Sequence, residues 1–310
     1  MRRLLGLGLT LALISVAGIA AAATPEVVLN DPAVNERFPS ASDGYLVWSA
    51  NSEARPNRTH SYVMADGGDP VRVNPAGTQS FEAAIDGTTV AYQQVTSDGA
   101  DIWFYDVLTE ERTPAPSGVN TPNWESRPTL SGNWLLFTRL IFSSKASVRV
   151  VLFNLMTDVR IVLREVPSRR HYLVSDQVNG DWATFESCRY MRGRFSNCQV
   201  FRYQISTEEL VKVPNPGVQQ YGGAVSADGT VYLVRTRNRD HWVCGSHTKL
   251  VRMDGGNGTV IATLPDGRDS LTPFALDETG GSTTLYLDRY RCRSSASGIY
   301  RIPDADSATL

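Results

Sequence analysis

A pattern recurs along this chain at intervals in the forties, and it limits the possible folds more than any other feature of the sequence. DPAVNERFPSASDGYLVW is followed by NPAGTQSFEAAIDGTTVAY. In these two stretches Pro32 and Pro75, Ala33 and Ala76, Phe38 and Phe81, Asp43 and Asp86, Gly44 and Gly87, and Val47 and Val90 share an offset of 43. Related turn-and-strand segments follow at Ser131-Gly132, Asn179-Gly180, Asp228-Gly229 and Gly280-Gly281, which makes six copies. Glycine at such turns tolerates the positive φ that a tight hairpin needs. Each copy continues with a second strand, a variable loop, and an alternating apolar strand such as SYVMAD, DIWFYDV, VVLFNLM, QVFRYQI, KLVRMD or GIYRIP. A short turn and a fourth strand close it, as in VRVN, RTPAP, RIVLRE, LVKVP and TVIATL. Four short strands per repeat predict an all-β fold: a six-bladed β-propeller of four-stranded antiparallel blades. The sixth copy lacks a clear fourth strand. The segment PEVVLNDP, ahead of the first copy, fits that slot. Val27 to Asn30 is therefore expected to close the last blade, which would leave no exposed sheet edge where the ring joins.

Residues 1–23 are read as an export signal and left out of the fold. Arg2 and Arg3 precede an apolar run from Leu4 to Ile19, and Ala20 to Ala23 supply small residues for cleavage after Ala22 or Ala23. The run is also long enough for an uncleaved anchor, but the alanines and Thr24-Pro25 favour cleavage. No Cys follows the run to carry a lipid, and no later segment is apolar enough to span a bilayer. Residues 24–310 then form one propeller domain. The expectation is a secreted or periplasmic monomer with no membrane insertion after cleavage. At 42% apolar and 20% charged residues the composition is that of a folded chain, not a disordered one. A formal net charge of −2 gives no reason to expect a nucleic-acid partner.

The turns FPSASDGYLVWS and GGAVSADGTVYLV resemble the repeats of the TolB-type six-bladed propellers, whose consensus is roughly Pro-x-Trp-Ser-Pro-Asp-Gly before an apolar strand. The resemblance runs over nearly all of residues 24–310 and implies the propeller fold. The chain departs from the consensus in two ways. Ala41, Ala84 and Val225 stand in place of the Trp, and the Pro before Asp-Gly is missing. The few residues between the signal and the first copy leave no room for the α/β domain of TolB itself, so no role in the Tol–Pal system is implied. The fold does not select a function.

In a propeller the second-to-third strand loops and the blade-to-blade connections share one face, here the loop face. The remaining turns share the other, the turn face. Four Cys in an exported chain read as two disulfides. Cys188 and Cys198 flank one hairpin loop of blade four. Cys244 and Cys292 fall in the matching loops of blades five and six, so Cys188–Cys198 and Cys244–Cys292 are the expected pairs.

The same loops carry arginine. The candidate binding residues are Arg189, Tyr190, Arg192 and Arg194 in blade four, Arg237, Arg239, His241 and Trp242 in blade five, and Arg291 and Arg293 in blade six. Arg58, Lys145, Arg169 and Arg170 fall in loops or connections of the same face. Acids dominate the turn face, among them Asp43, Asp66, Asp69, Asp86, Asp277 and Glu278. A nearly neutral chain would then carry a charge split across the disc, steering an anionic partner to the loop face. Arginine clamps carboxylates and phosphates there, and Tyr and Trp anchor the contact.

No catalytic set is visible. GxSxG is absent, and facing carboxylates of glycosidase type are not evident. His241-x-x-Cys244-x-x-His247 has metal-like spacing, but Cys244 is better used in a disulfide, so no metal and no cofactor are expected. The sequence therefore points to a non-enzymatic binding or scaffold propeller for an anionic ligand, an envelope polymer or a protein. The alternative is a lyase or hydrolase of an acidic glycan using His171 or His241 as base beside arginine. A purely structural module is a third reading.

Overall fold

The computed structural model describes residues 24–31, 33–52, 58–97, 99–191, 194–236, 248–256, 258–263, 269–291 and 296–308. The first strand, β1 (Glu26–Leu29), precedes the blades. Blade one is β2 (Val34–Ser42), β3 (Tyr45–Ser52), β4 (His60–Ala65) and β5 (Val71–Arg72). Blade two is β6 (Gln79–Asp86), β7 (Thr89–Val95), β8 (Ala100–Asp106) and β9 (Arg112–Pro114). Blade three is β10 (Trp124–Ser131), β11 (Trp134–Ile141), β12 (Ser147–Asn154) and β13 (Arg160–Pro167). Blade four is β14 (His171–Asn179), β15 (Trp182–Met191), β16 (Arg194–Gln204) and β17 (Glu209–Lys212). Blade five is β18 (Gln219–Val225), β19 (Val231–Thr236), β20 (Thr248–Met253) and β21 (Thr259–Thr263). Blade six is β22 (Asp269–Asp277), β23 (Thr284–Arg291) and β24 (Ala296–Ile302), and its outer strand is β1, paired antiparallel to β24. Six four-stranded antiparallel sheets thus form the ring, and the N-terminal strand closes it as the sequence predicts.

The core is a series of apolar layers between neighbouring blades. Val47 and Val63 of blade one pack with Ile85, Val90 and Tyr92 of blade two. Ala91 and Ile102 of blade two pack with Leu135 and Phe137 of blade three. Each blade therefore buries both faces, which explains the apolar runs in its middle strands.

The hairpin register corrects one detail of the repeat. Ser42 pairs with Tyr45, and Asp86 with Thr89, so the turns of the first two blades lie 44 residues apart. Asp43 (φ 50°) and Gly44 (φ 78°) make the first turn, whereas Gly87 (φ 56°) takes the position of Asp43 in the second. Asp is among the residues that tolerate the left-handed region, so blade one can place it where blade two uses glycine.

The register also explains a recurring polar residue at the inner-strand ends. Ser42 Oγ accepts a hydrogen bond from Gly87 N at 3.0 Å, Asp86 Oδ2 from Gly132 N at 2.7 Å, and Ser131 Oγ from Gly180 N at 2.9 Å. Glu278 Oε2 accepts from Ala227 N at 2.8 Å, and Thr279 Oγ1 from Asp43 N at 3.3 Å. Each satisfies a turn amide of a neighbouring blade, latching the ring together on the turn face.

Candidate functional site

Each inner strand bulges at the same level, with Phe38, Glu82, Arg127, Asp176, Gly222 and Phe274 at the register breaks. A bulge re-aims a side chain and bends the strand. Phe38, Glu82, Arg127 and Gly222 hold positive φ of 56°, 46°, 52° and 60°. In blade five a Cβ at Gly222 would stand 2.9 Å from the carbonyl oxygen of Pro273, so only glycine fits there. The other five residues line a central cavity of about 270 Å³. From this level the cavity runs to the turn face, past Pro39, Pro128 and Pro273, to Asp43, Asp86, Asp277 and Glu278.

Charge is concentrated at the floor. Arg127 Nε donates to Glu82 Oε1 at 2.8 Å, with both side chains largely buried. The Arg127 guanidinium carbon is 5.8 Å from the Phe38 ring and 5.9 Å from that of Tyr172, within cation–π reach. Burial raises Glu82, against the pull of Arg127 and Arg37. Burial works against the charge of Arg127, but Glu82, Tyr172, Asp176 and Glu186 outweigh it and hold the guanidinium protonated. Burial drives the Asp176 carboxyl well above its ordinary range, reinforced by Glu186, and its Oδ2 is shielded from solvent without a hydrogen-bond partner. Burial lifts Glu186 to about 7, although Gly222 N donates to its Oε2 at 3.1 Å.

A layer of polar residues lies on the loop side of this floor, one per second strand: buried Gln94, Arg139, Glu186 and Asp288 in blades two, three, four and six, and half-buried Arg235 in blade five. Arg139 Nε donates to Glu125 Oε1 at 2.8 Å and its Nη2 to Val119 O at 2.6 Å, tying down the connection between blades two and three. Arg235 Nη2 donates to Pro214 O at 2.9 Å, near the entry to blade five. Arg37 Nε donates to Asp288 Oδ2 at 3.1 Å, joining blades one and six, and burial raises Asp288 to about 6. A second hollow of about 680 Å³ lies on the loop side of blade one, beside Glu36, His60 and the stacked rings of Trp48 and Tyr62.

Among the predicted binding residues, Arg189 and Tyr190 are exposed at the loop end of β15. Tyr190 N donates to Arg170 O at 2.8 Å, and the Tyr190 ring lies 5.1 Å from Phe195, itself 4.9 Å from Tyr172. Arg169 and Arg170 are exposed beside them. No ion pair involves Arg169, Arg170 or Arg189 among the described residues. Arg192, Arg237, Arg239, His241, Trp242, Cys244, His247, Cys292 and Arg293 lie outside the described residues, as do the side chains of Arg194 and Arg291. The Cys244–Cys292 pairing therefore falls there too. Cys188–Cys198 forms as predicted, with both residues buried. Arg289 lies within β23 with its guanidinium 5.0 Å from the Tyr300 ring.

His171 opens β14 opposite Arg189, and its side chain makes no hydrogen bond among the described residues. Glu186 stands within 4.8 Å of both cystine sulfurs, but a disulfide leaves no thiolate to bind a metal. Sequence reasoning missed the channel acids because they sit inside strands, one residue away from where a fixed period of 43 places them. The usable signal was an acid or arginine in the middle of an inner strand, as at Glu82, Arg127 and Asp176.

No protein-family model and no curated protein matches the chain. Its fold is nonetheless shared with solved structures. TolB from Acinetobacter baumannii aligns with a TM-score of 0.54 at 17% identity, covering 84% of this chain and 63% of that one. A putative TolB from Agrobacterium tumefaciens aligns with a TM-score of 0.54 at 16% identity, covering 87% of this chain and 90% of that one. An oligogalacturonate lyase in complex with manganese aligns with a TM-score of 0.52 at 10% identity, covering 89% and 85%. At these identities the likeness is one of fold: a TolB-like six-bladed propeller.

Proposed function

We propose that this TolB-like propeller is an exported binding or scaffold protein that takes an anionic ligand, an acidic envelope polymer or an acidic protein segment, on its loop face. The observation that supports it most is the group at blade four. Arg169, Arg170 and Arg189 are exposed, have no acidic partner among the described residues, and sit beside the exposed ring of Tyr190. Unpaired guanidinium groups beside an aromatic ring suit carboxylate, sulfate or phosphate groups on a chain. Trp124 and Phe142, also exposed and 5.2 Å apart edge to face, add aromatic surface on neighbouring blade three. Export accords with the Cys188–Cys198 disulfide and with the leader read in the sequence.

The lyase or hydrolase alternative gains an arginine–acid cluster at Glu82, Arg127 and Asp176 and a likeness of fold to an oligogalacturonate lyase. The cluster includes no histidine, and its cavity extends to the turn face instead of the arginine-bearing face. Binding is therefore the better supported function.

The test is retention of the mature chain on heparin and polygalacturonate resins over a salt gradient. Retention should be lost well below physiological salt in an Arg169→Glu/Arg170→Glu/Arg189→Glu variant. Flow-through of the unaltered chain at low salt would overturn the proposal. Turnover of an acidic oligosaccharide would overturn it in favour of the enzyme.

A further inference from the structure

The hollow on the loop side of blade one follows from the strand register. Glu36, Ala50 and His60 pair across β2, β3 and β4 in one row, and Trp48, Tyr62 and Arg72 pair across β3, β4 and β5 in the next. Residues paired in this way point to the same side of a sheet, here the side that packs on Ile299 of blade six. Ala50 is the smallest side chain of its row, so it leaves a trough between Glu36 and His60, beside the stacked Trp48 and Tyr62 rings. Arg58 and Arg72 also line it. The polar groups of this trough have bonding capacity to spare. Glu36 is 6% exposed, yet its one hydrogen bond among the described residues runs from Asp31 N to Oε2 at 3.4 Å, which leaves Oε1 without a donor. A buried carboxyl oxygen ordinarily has one. Asn74 fixes the His60 tautomer. Its Oδ1 accepts from Ser61 N and Arg72 Nε and its Nδ2 donates to Thr78 O, so His60 Nδ1, 3.2 Å from Nδ2, is an acceptor and the ring proton sits on Nε2. Burial, Arg72 and Arg58 lower the pKa of this imidazole and keep it neutral. The Arg72 guanidinium is held by Pro75 O at 2.9 Å and Thr78 O at 3.2 Å, and Arg58 is exposed. No ion pair reaches either arginine among the described residues.

Two uncompensated guanidinium groups, a ring N–H and a buried acceptor, set around aromatic rings, suit a hydroxylated ring that carries an anionic group. At about 680 Å³ the hollow has room for a sugar ring and part of its neighbour in a chain. From this arrangement we infer that the blade-one hollow binds an acidic sugar, a hexose ring bearing a carboxylate or a phosphate. The anion would meet Arg58 and Arg72, a ring hydroxyl would donate to Glu36 Oε1, and the apolar face of the ring would lie toward Tyr62. This rests on the reading of the loop face as a surface for acidic polymers and names the unit recognised, but it uses none of the blade-four arginines.

Saturation-transfer NMR titration of the folded mature chain tests it with glucuronate, glucose 6-phosphate and, as the neutral control, glucose. At least one of the two anionic sugars should bind saturably and about tenfold or more tighter than glucose. Binding of glucuronate alone assigns a carboxylate, of glucose 6-phosphate alone a phosphate, and of both the shared anion. Arg58→Ala removes an exposed side chain that holds nothing else in place and should weaken the anionic sugar about fivefold or more. Ala50→Leu fills the trough and should abolish binding. Lys145→Ala removes an exposed loop-face cation outside the lining and should leave affinity within about twofold. Thermal melts check that the variants fold, and Arg58→Ala carries the test if Ala50→Leu does not. Absence of binding by either anionic sugar, equal affinity for glucose, no effect of Arg58→Ala, or an equal loss in Lys145→Ala would overturn the inference. Polymer retention without sugar binding would overturn it and leave the blade-four reading standing, whereas sugar binding without polymer retention would do the reverse.

Discussion

At the turn end of the channel, neighbouring blades hold one another through single hydrogen bonds from backbone amide to side chain, such as Gly87 N to Ser42 Oγ and Gly180 N to Ser131 Oγ. At the loop end the fastenings are of another kind. There the ring relies on the buried Arg139–Glu125 pair, the Arg37–Asp288 pair between blades one and six, and the buried Cys188–Cys198 bridge. Loop length accounts for the difference. First-to-second strand turns span two residues in blades one to four and need only their amides satisfied. Most loop-end hairpins and connections are longer and their backbone needs buried anchors, although in blade four Met191 pairs directly with Arg194. The surface chemistry divides in the same way, with exposed arginine and aromatic rings at one end and a carboxylate-ringed cavity at the other. Fastenings at the loop end should therefore cost several times more to remove than those at the turn end.

The largest effect is expected at Arg139. Its side chain is 4% exposed, and that of Glu125 is 0% exposed. Arg139→Met would leave a buried carboxylate without its partner and two connection carbonyls without their donor. A loss of roughly 3–5 kcal/mol should follow, read from urea unfolding. Arg149→Met in the same blade breaks a pair whose side chains are 33% and 41% exposed, and should cost at most about 1 kcal/mol. Equal losses would break the proposed contrast between buried and exposed fastenings.

The channel floor adds a pH dependence of unusual sign. The Glu186 carboxyl rises from an ordinary 4.5 to about 7 in the folded chain. Between these values the folded state holds a proton that the unfolded state has released, so stability falls as pH rises through this window. The penalty is absent below 4.5 and complete above about 7, on the order of 3 kcal/mol. Glu186→Gln should flatten the melting temperature between pH 5 and 7.5 relative to the unaltered chain, and Asp176→Asn should flatten it as well. A melting temperature that climbs over this range in the unaltered chain would contradict the assignment. Cys188→Ser/Cys198→Ser, at the same end, should lower stability by about 3 kcal/mol through the freed hairpin loop.

How much of this was legible in the sequence depends on the range of the interaction. The strand grammar, the turn glycines, the closing strand near Val27 and the Cys188–Cys198 bridge follow from local pattern and from repeat topology. The channel floor does not. The hairpin turns of blades one and two lie 44 residues apart, so Glu82 aligns in space with Phe38, whereas a fixed offset of 43 pairs Phe38 with Phe81. That slip of one residue hides the ring of Phe38, Glu82, Arg127, Asp176, Gly222 and Phe274. Buried acids such as Glu186 and Asp288 were equally hidden, because each is explained only by a neighbour in another blade. The arginine loops were legible as composition, but of the ten candidate binding residues named there only Arg189 and Tyr190 have described side chains.

The smallest effect sharpens the contrast most directly. Ser42→Ala removes the acceptor of the Gly87 amide at the interface between blades one and two. The amide lies at the edge of the disc, where water can replace the lost partner, so the cost should be only about 1 kcal/mol. Ser131→Ala removes the matching acceptor between blades three and four and should cost about the same. The two sites share no residue and lie in different interfaces, so their effects should add. Additive small losses would mean that the turn end is held by independent local latches. A double loss well above the sum of the singles would mean instead that the latches act as one cooperative ring, and the simple division between the two ends would no longer hold.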